Sequence, residues 1–395
     1  MVGLLLARLL NKYCVSWSIA VVEPHAPAPR AAAGELDLRV SALSPASLEL
    51  LDQAGALAQL PALAGHSYEC MRVWQDTAGP QGSHAISFSA AELGVASLGS
   101  IVENNAVRLA LWEQVGATEN IELISQPAAD IRTTSRGCEL SCGDAEIRAR
   151  LLVGADGAGS RVRGQLGVHS RERAYGQNAL VAHLATERPH ADTAWQKFLP
   201  GGPVAFLPLA DGRCSIVWSH PEDRSDALLA MSDDQFAVHL QKQTDNVLGE
   251  LRCTTRRVCF PLARGHAEAY TGARFALIGD AAHRVHPLAG QGANLGFQDA
   301  ATLADELARH LGIDTEHQHG NPWADPGDAR VLRRYERRRK GDNALTLGTM
   351  DGLNALFNSP LASMAGRGLG LIERVGPLKT LLAAQAMGTG TNPAG

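Results

Sequence analysis

GDAAHRVHPLAGQGANLGFQDAATLADEL, running from Gly279 to Leu307, carries a strand end, an acidic turn, a glycine-rich loop and a helix in one piece. It follows Phe275-Ala276-Leu277-Ile278, an apolar run of the kind that forms a buried parallel strand. Asp280 is therefore expected at a strand's carboxyl end, where α/β sheets bind ligands. Downstream, Gly290, Gly292 and Gly296 let the backbone approach a flat or anionic ligand with no Cβ in the way. The helix they open points its free amides at that ligand. Glycines before a helix also make ordinary strand-to-helix loops, so the inference rests on the whole string.

Further segments carry similar signals. Leu152-Val153-Gly154-Ala155-Asp156-Gly157 sets a carboxylate between an apolar run and glycine-containing turns, with Arg163 close behind. Val22-Glu23-Pro24 ends another apolar run in an acid, about 20 residues beyond Gly3, the placement of a ribose-binding carboxylate. The segment DLRVSALSPAS, 37–47, supplies Arg39, a bidentate donor suited to a pyrophosphate or to an ordinary salt bridge. LGSIVEN, 98–104, ends in Asn104 just ahead of a helix, where an asparagine is also a good N-cap. In sequence and order these segments resemble the FAD-dependent aromatic hydroxylases of the para-hydroxybenzoate hydroxylase fold. LGSIVEN and WQKFLPGGPVAFLPL, 195–209, resemble their ubiquinone-biosynthesis branch.

The resemblance implies an α/β fold: a Rossmann-like FAD-binding domain of the glutathione-reductase type, an inserted β-sheet substrate domain and a C-terminal helical extension. The expected FAD-binding portions are 1–69, 98–174 and 262–330, the sheet domain 70–97 and 175–261, and the helical region 331–395. Gly3, Glu23, Arg39, Asn104, Asp156, Gly157, Asp280, Gly290, Gly292, Ala293 and Asn294 become candidate cofactor-binding residues. Asp280 would bond the ribityl chain, and the amides of Gly292, Ala293 and Asn294 would face the pyrimidine end of the flavin, where negative charge develops on reduction. His286, Pro287 and Gly290, in the loop before the helix, are the candidates nearest the reacting centre. One departure stands out: Met1-Val2-Gly3 falls where the last three positions of a G-x-G-x-x-G loop belong. The first strand and the start of that loop are missing, and an upstream in-frame segment encoding them is expected.

Composition excludes several classes. The 395 residues are 45% hydrophobic, enough for a large core in more than one domain, and the net charge of −5 offers no general basic field for nucleic acid. Seven scattered cysteines without a C-x-x-C pair read as reduced packing thiols, including Cys138 and Cys142. His283 and His286 have helical spacing for a metal pair, but Pro287 argues against helix there and no third ligand stands near. No metal is expected. The basic run Arg333 to Lys340 reads as a solvated helix face, and Leu369 to Met387 as an amphipathic segment able to cover the core or lie on a membrane. No apolar run reaches the ~20 residues of a membrane span, so the expected location is cytoplasmic or peripheral to the inner membrane.

The resulting expectation is a monooxygenase that uses FAD, NAD(P)H and O₂ to hydroxylate the aromatic ring of a polyprenyl phenol or benzoquinol in ubiquinone biosynthesis, within a quinone-biosynthesis complex or alone. Trp195, Phe198, Phe206 and Leu207 are candidate walls for the apolar tail. Two alternatives stay open: a flavin enzyme acting on another phenolic substrate, and a catalytically inactive subunit of a quinone-biosynthesis assembly. A halogenase is disfavoured, because tryptophans at 17, 74, 112, 195, 218 and 323 form no W-x-W-x-I-P motif.

Overall fold

The computed structural model describes residues 1–29, 36–75, 79–82, 85–285, 291–312 and 324–357. The leucine-rich start folds as α1 (Val2–Tyr13), buried through Leu4, Leu5, Leu6, Leu9 and Leu10. It is buried so widely because it packs against both α4 (Asn104–Gly116) and α8 (Gln291–His310). Helix α8 turns Phe297, Ala300, Leu303, Ala304 and Leu307 into the same core, the spacing of one apolar stripe. Against α8 lies α9 (Ala329–Phe357).

Two parallel strand pairs support these helices. They are β1 (Ile19–Val22) with β7 (Ile121–Ile124), and β11 (Leu152–Gly154) with β19 (Phe275–Leu277), the latter extended by β18 (Thr271–Gly272). Among the described residues the pairs are separate sheets joined by a shared apolar core. Small residues permit the close approach: a Cβ on Gly154 would lie 2.7 Å from Leu277 Cδ2, and one on Gly3 would lie 3.1 Å from the Ala155 Cβ. Around them sit two antiparallel sheets. One contains β2 (Val40–Leu43), β6 (Gly99–Glu103) and β3 (Gly65–Tyr68); the other is the meander β8 (Ala128–Thr133), β9 (Cys138–Cys142) and β10 (Ala145–Ala149). All seven cysteines are free, with Cys138 and Cys142 buried.

Helix α2 (Pro45–Gln53) starts as its sequence predicts, with Pro45 in the first turn and Ser44 Oγ accepting from the Ser47 amide. Asn104 does not cap α4. Glu103 holds the extended N-cap position, and the Asn104 Oδ1 accepts from Ser41 Oγ at 2.6 Å, fastening α4 to β2.

The largest sheet runs β20 (His283–Arg284), β17 (Val258–Ala267), β12 (Ser170–Thr186), β15 (Cys214–Pro221), β14 (Gly202–Pro208), β13 (Thr193–Leu199), β4 (Cys70–Gln75) and β5 (Ala85–Ser89), with β16 (Leu251–Cys253) also on β12. The Leu199–Pro203 turn joins β13 to β14, with Gly201 at φ +96°, a conformation that favours glycine. Short helices α3 (Ala90–Leu93) and α5 (Arg161–Gln165) follow β5 and β11. One face of the sheet packs against α6 (Ser225–Ala230) and α7 (Asp233–Gln243), through Leu228, Phe236 and Leu240.

Residues directly opposite in a ladder share a face. Trp195 pairs with Phe206 and both join the helix-covered cluster around Trp218 and Phe236. Phe198 and Leu207 have the opposite parity, and Leu207 packs instead on Ala42, Ile101 and Leu209 of the other side. The four residues expected to wall one path therefore divide two and two. No helix among the described residues is long and apolar enough to cross a membrane. The Leu369–Met387 segment lies outside the described residues.

Candidate functional site

The site is built at the end of β19. Leu277 and Ile278 are fully buried, and the chain then reverses at Gly279, whose φ of +60° favours glycine. A Cβ there would also lie 3.2 Å from Val2 Cγ2 of α1. The next residue, Asp280, sits in a 3₁₀ turn and projects outward, its carboxylate making no hydrogen bond among the described residues. Desolvation raises its pKa above the usual carboxylate range, with His283, Arg284 and Arg39 pulling the other way.

The turn is fixed from below by a carboxylate that sequence reasoning missed. Asp299 is fully buried; its Oδ2 accepts from the Gly279 amide at 2.9 Å and from His283 Nε2 at 2.5 Å. Its Oδ1 accepts from Arg339 Nε at 2.7 Å and from Asn343 Nδ2 at 3.2 Å. Burial opposes its charge, but His283 and Arg339 outweigh burial and hold the carboxyl below its ordinary range. A lone acid on the Gly292–Gly296–Leu303–Leu307 stripe of α8 was the available signal. His283, whose metal-pair spacing was set aside in the sequence, is one arm of this network. Arg339, read as part of a solvated basic run, is another.

Helix α8 begins at Gln291, so the amides of its first turn, those of Gly292 and Ala293 included, have no intrahelical acceptor. The Asn294 side chain is committed inward: Oδ1 accepts from Ser44 N and Ser47 Oγ, and Nδ2 donates to Ala42 O. Among the described residues, a Cβ on Gly292 would meet only Val285 Cγ2, at 3.8 Å. Arg39 lies over the Phe260 ring at 5.7 Å, joining this corner to β17.

A family model described as an FAD binding domain matches residues 1–319. The chain belongs to that family. The 3-demethoxyubiquinol 3-hydroxylase of Escherichia coli K12 is 36% identical, over 98% of this chain and 96% of its own length. Ubiquinone hydroxylase UbiL of Rhodospirillum rubrum is also 36% identical, over 94% and 84%. The fold matches that of Klebsiella pneumoniae HpxO, solved with FAD and uric acid, at a TM-score of 0.70 and 17% identity, covering 100% of this chain and 95% of that one.

An outward carboxylate at Asp280, free amides at the start of α8 and the lack of a Cβ at Gly292 fit a ligand with hydroxyls, a flat ring and developing negative charge. Glu23 follows β1, its Oε1 accepting from the His25 amide at 3.2 Å. Gly3 serves as the contact between α1 and the end of β11. Asp156 acts within its own turn, where Oδ1 accepts from Ser160 Oγ, and Oδ2 from the amides of Arg161 and Val162. Its carboxylate thus starts α5, and Gly157 makes the preceding turn at φ +82°. Arg163, read as suited to a phosphate, donates to the Ala281 and Ala158 carbonyls and pairs with Glu172, tying α5 to the Asp280 turn. His286, Pro287 and Gly290 lie outside the described residues.

Proposed function

We propose that this chain hydroxylates the aromatic ring of a polyprenylated phenol or benzoquinol in ubiquinone biosynthesis, with NAD(P)H and O₂ as co-substrates. The observation that carries the reading is the convergence of the Asp280 turn, the start of α8 and Arg39 over Phe260, the last on the sheet. The curated relatives, named for ubiquinone-pathway hydroxylation, support the same substrate class.

When bound, FAD accepts hydride from NAD(P)H and, with O₂, delivers an electrophilic oxygen atom to an electron-rich ring. The chain's own residues supply position and environment. Asp280 accepts hydrogen bonds from ribityl hydroxyls, and Glu23 from ribose hydroxyls. Arg39 pairs with the pyrophosphate. The amides of Gly292, Ala293 and Asn294 stabilise negative charge at the pyrimidine edge, aided by the positive end of α8. Asn104 braces β2 against α4, and Asp156 with Gly157 shapes the turn behind the nucleotide. Phe198 and Leu207, on the face away from α7, give the ring and its tail an apolar, water-poor wall. His286, Pro287 and Gly290 are assigned to the edge nearest the reacting ring.

This reading divides the chain as the sequence suggested: 1–69, 98–174 and 262–330 for cofactor, 70–97 and 175–261 for substrate, and 331–395 as a helical extension. β12 crosses one border, beginning at Ser170. The lipid tail of such a substrate supports a cytoplasmic protein in peripheral contact with the inner membrane, and attachment to other quinone-biosynthesis proteins. The test is to purify the chain, titrate FAD, and supply NADH or NADPH with a short-chain prenylated benzoquinol. A product gaining one oxygen atom, with matching NAD(P)H use, supports the assignment. A colourless protein that takes up no FAD, or NAD(P)H oxidation that yields only hydrogen peroxide, overturns it.

A further inference from the structure

A second constellation stands on the other small sheet. His66, on β3, and the pair His190 and Asp192, in the connection from β12 to β13, bring three ligand atoms within 4.8 Å of one another. His66 Nε2 lies 2.8 Å from Asp192 Oδ1, and His190 Nδ1 lies 3.8 Å from the same oxygen. An ion with tetrahedral bonds of about 2.0–2.2 Å holds its ligand atoms about 3.3–3.6 Å apart, so these separations bracket what coordination requires.

The imidazole of His190 is already in the tautomer a metal needs. Its Nε2 lies 3.2 Å from the Leu209 carbonyl, which can only accept, so Nε2 carries the proton and Nδ1 presents its lone pair toward Asp192. That lone pair meets the Asp192 amide at 3.2 Å, a long bond that coordination would replace. The turn is held in an uncommon conformation: Ala191 and Asp192 are consecutive non-glycine residues at φ +50° and +47°. The Asp192 carbonyl is anchored by the amides of Glu69 and Cys70, which join β3 to β4. His190 is buried, whereas the Asp192 side chain is 52% exposed, leaving a route for an ion and a water.

We propose that His66, His190 and Asp192 form a divalent-metal site of the Zn²⁺ type, with water as fourth ligand, that clamps β3 to the β12–β13 turn. Two imidazoles and one carboxylate suit Zn²⁺ better than Mg²⁺ or Ca²⁺, which take oxygen ligands. The role is structural, because the ion would join the small β2–β6–β3 sheet to the large one.

The experiment strips the purified protein with a chelator and titrates Zn²⁺ alone by calorimetry, in wild type, His66→Ala and Asp192→Asn. Wild type is expected to take up one ion per chain with a rise in melting temperature, and both variants to bind about tenfold or more weakly. Co²⁺ should give visible absorption bands in wild type and not in His66→Ala. Equal Zn²⁺ titrations in wild type and His66→Ala, or no saturable binding by wild type, overturn the site. Should Asp192→Asn fail to fold, His66→Ala decides alone, since His66 sits at the rim of the group with its side chain 25% exposed.

Discussion

Asp299 and Arg339, 40 residues apart on α8 and α9, meet through a 2.7 Å hydrogen bond from Nε to Oδ1, both buried. The same carboxylate holds the Gly279 amide, so one ion pair sets the position of the turn that presents Asp280. Replacing Asp299 with asparagine leaves the buried Arg339 only the exposed Asp342 carboxylate, at 3.2 Å, as counter-ion. Stability should fall by about 3–5 kcal/mol, read as a lowered denaturant midpoint. An unchanged midpoint in Asp299→Asn would show that Asn343 and Asp342 suffice to hold Arg339.

Asp280→Ala removes an acceptor from the cofactor side of this turn without disturbing Asp299. FAD affinity should drop by about 1–3 kcal/mol, or roughly 5–150-fold, with the melting temperature of the FAD-free protein preserved. Fluorescence titration of FAD checks this, and identical curves for Asp280→Ala and wild type would remove Asp280 from the site.

Gly292→Val tests the start of α8. Among the described residues the new Cβ meets only Val285, at ordinary contact distance, so folding should persist. FAD binding should weaken by at least about tenfold, because a branched side chain would occupy the flavin edge. A fully yellow, active Gly292→Val protein would move the flavin elsewhere.

His183, on β12, is fully buried, and burial followed by the Arg213 charge lowers its pKa to about 4, despite Asp211 and Asp37. Between about pH 4 and the ordinary 6.5 the unfolded chain binds the proton that the folded protein refuses. The stabilisation is complete above pH 6.5 and is lost as pH falls toward 4, a difference of about 3 kcal/mol. Urea unfolding followed between these limits should show that loss, and His183→Asn should flatten the slope. The same slope in both proteins would assign the acid sensitivity to other groups.

Much of the molecule is legible in the sequence because its signals are local. Apolar Phe275–Ile278, the acid after it and the glycines before a helix are read within 30 residues, and they form β19, the Asp280 turn and α8. The Asp299 network is not legible, since it depends on α8 and α9 aligning residues 40 apart, and Arg339 resembles its solvated neighbours in sequence. Asp156 is ambiguous for a different reason. An acid after a strand looks the same whether it awaits a ligand or caps the next helix. Trp195 and Phe198 do carry a usable clue to their separation: three residues apart on one strand, they must face opposite ways.

The ladder from β12 through β17 to β20, with one register shift between Ala174 and Gln177, links the broad sheet to His283, three residues beyond Asp280. Flexing one half of the molecule against the other would have to shear that ladder. Small rearrangements around the Asp280 turn therefore cost less than a hinge motion between the two halves, which would have to break strand pairing.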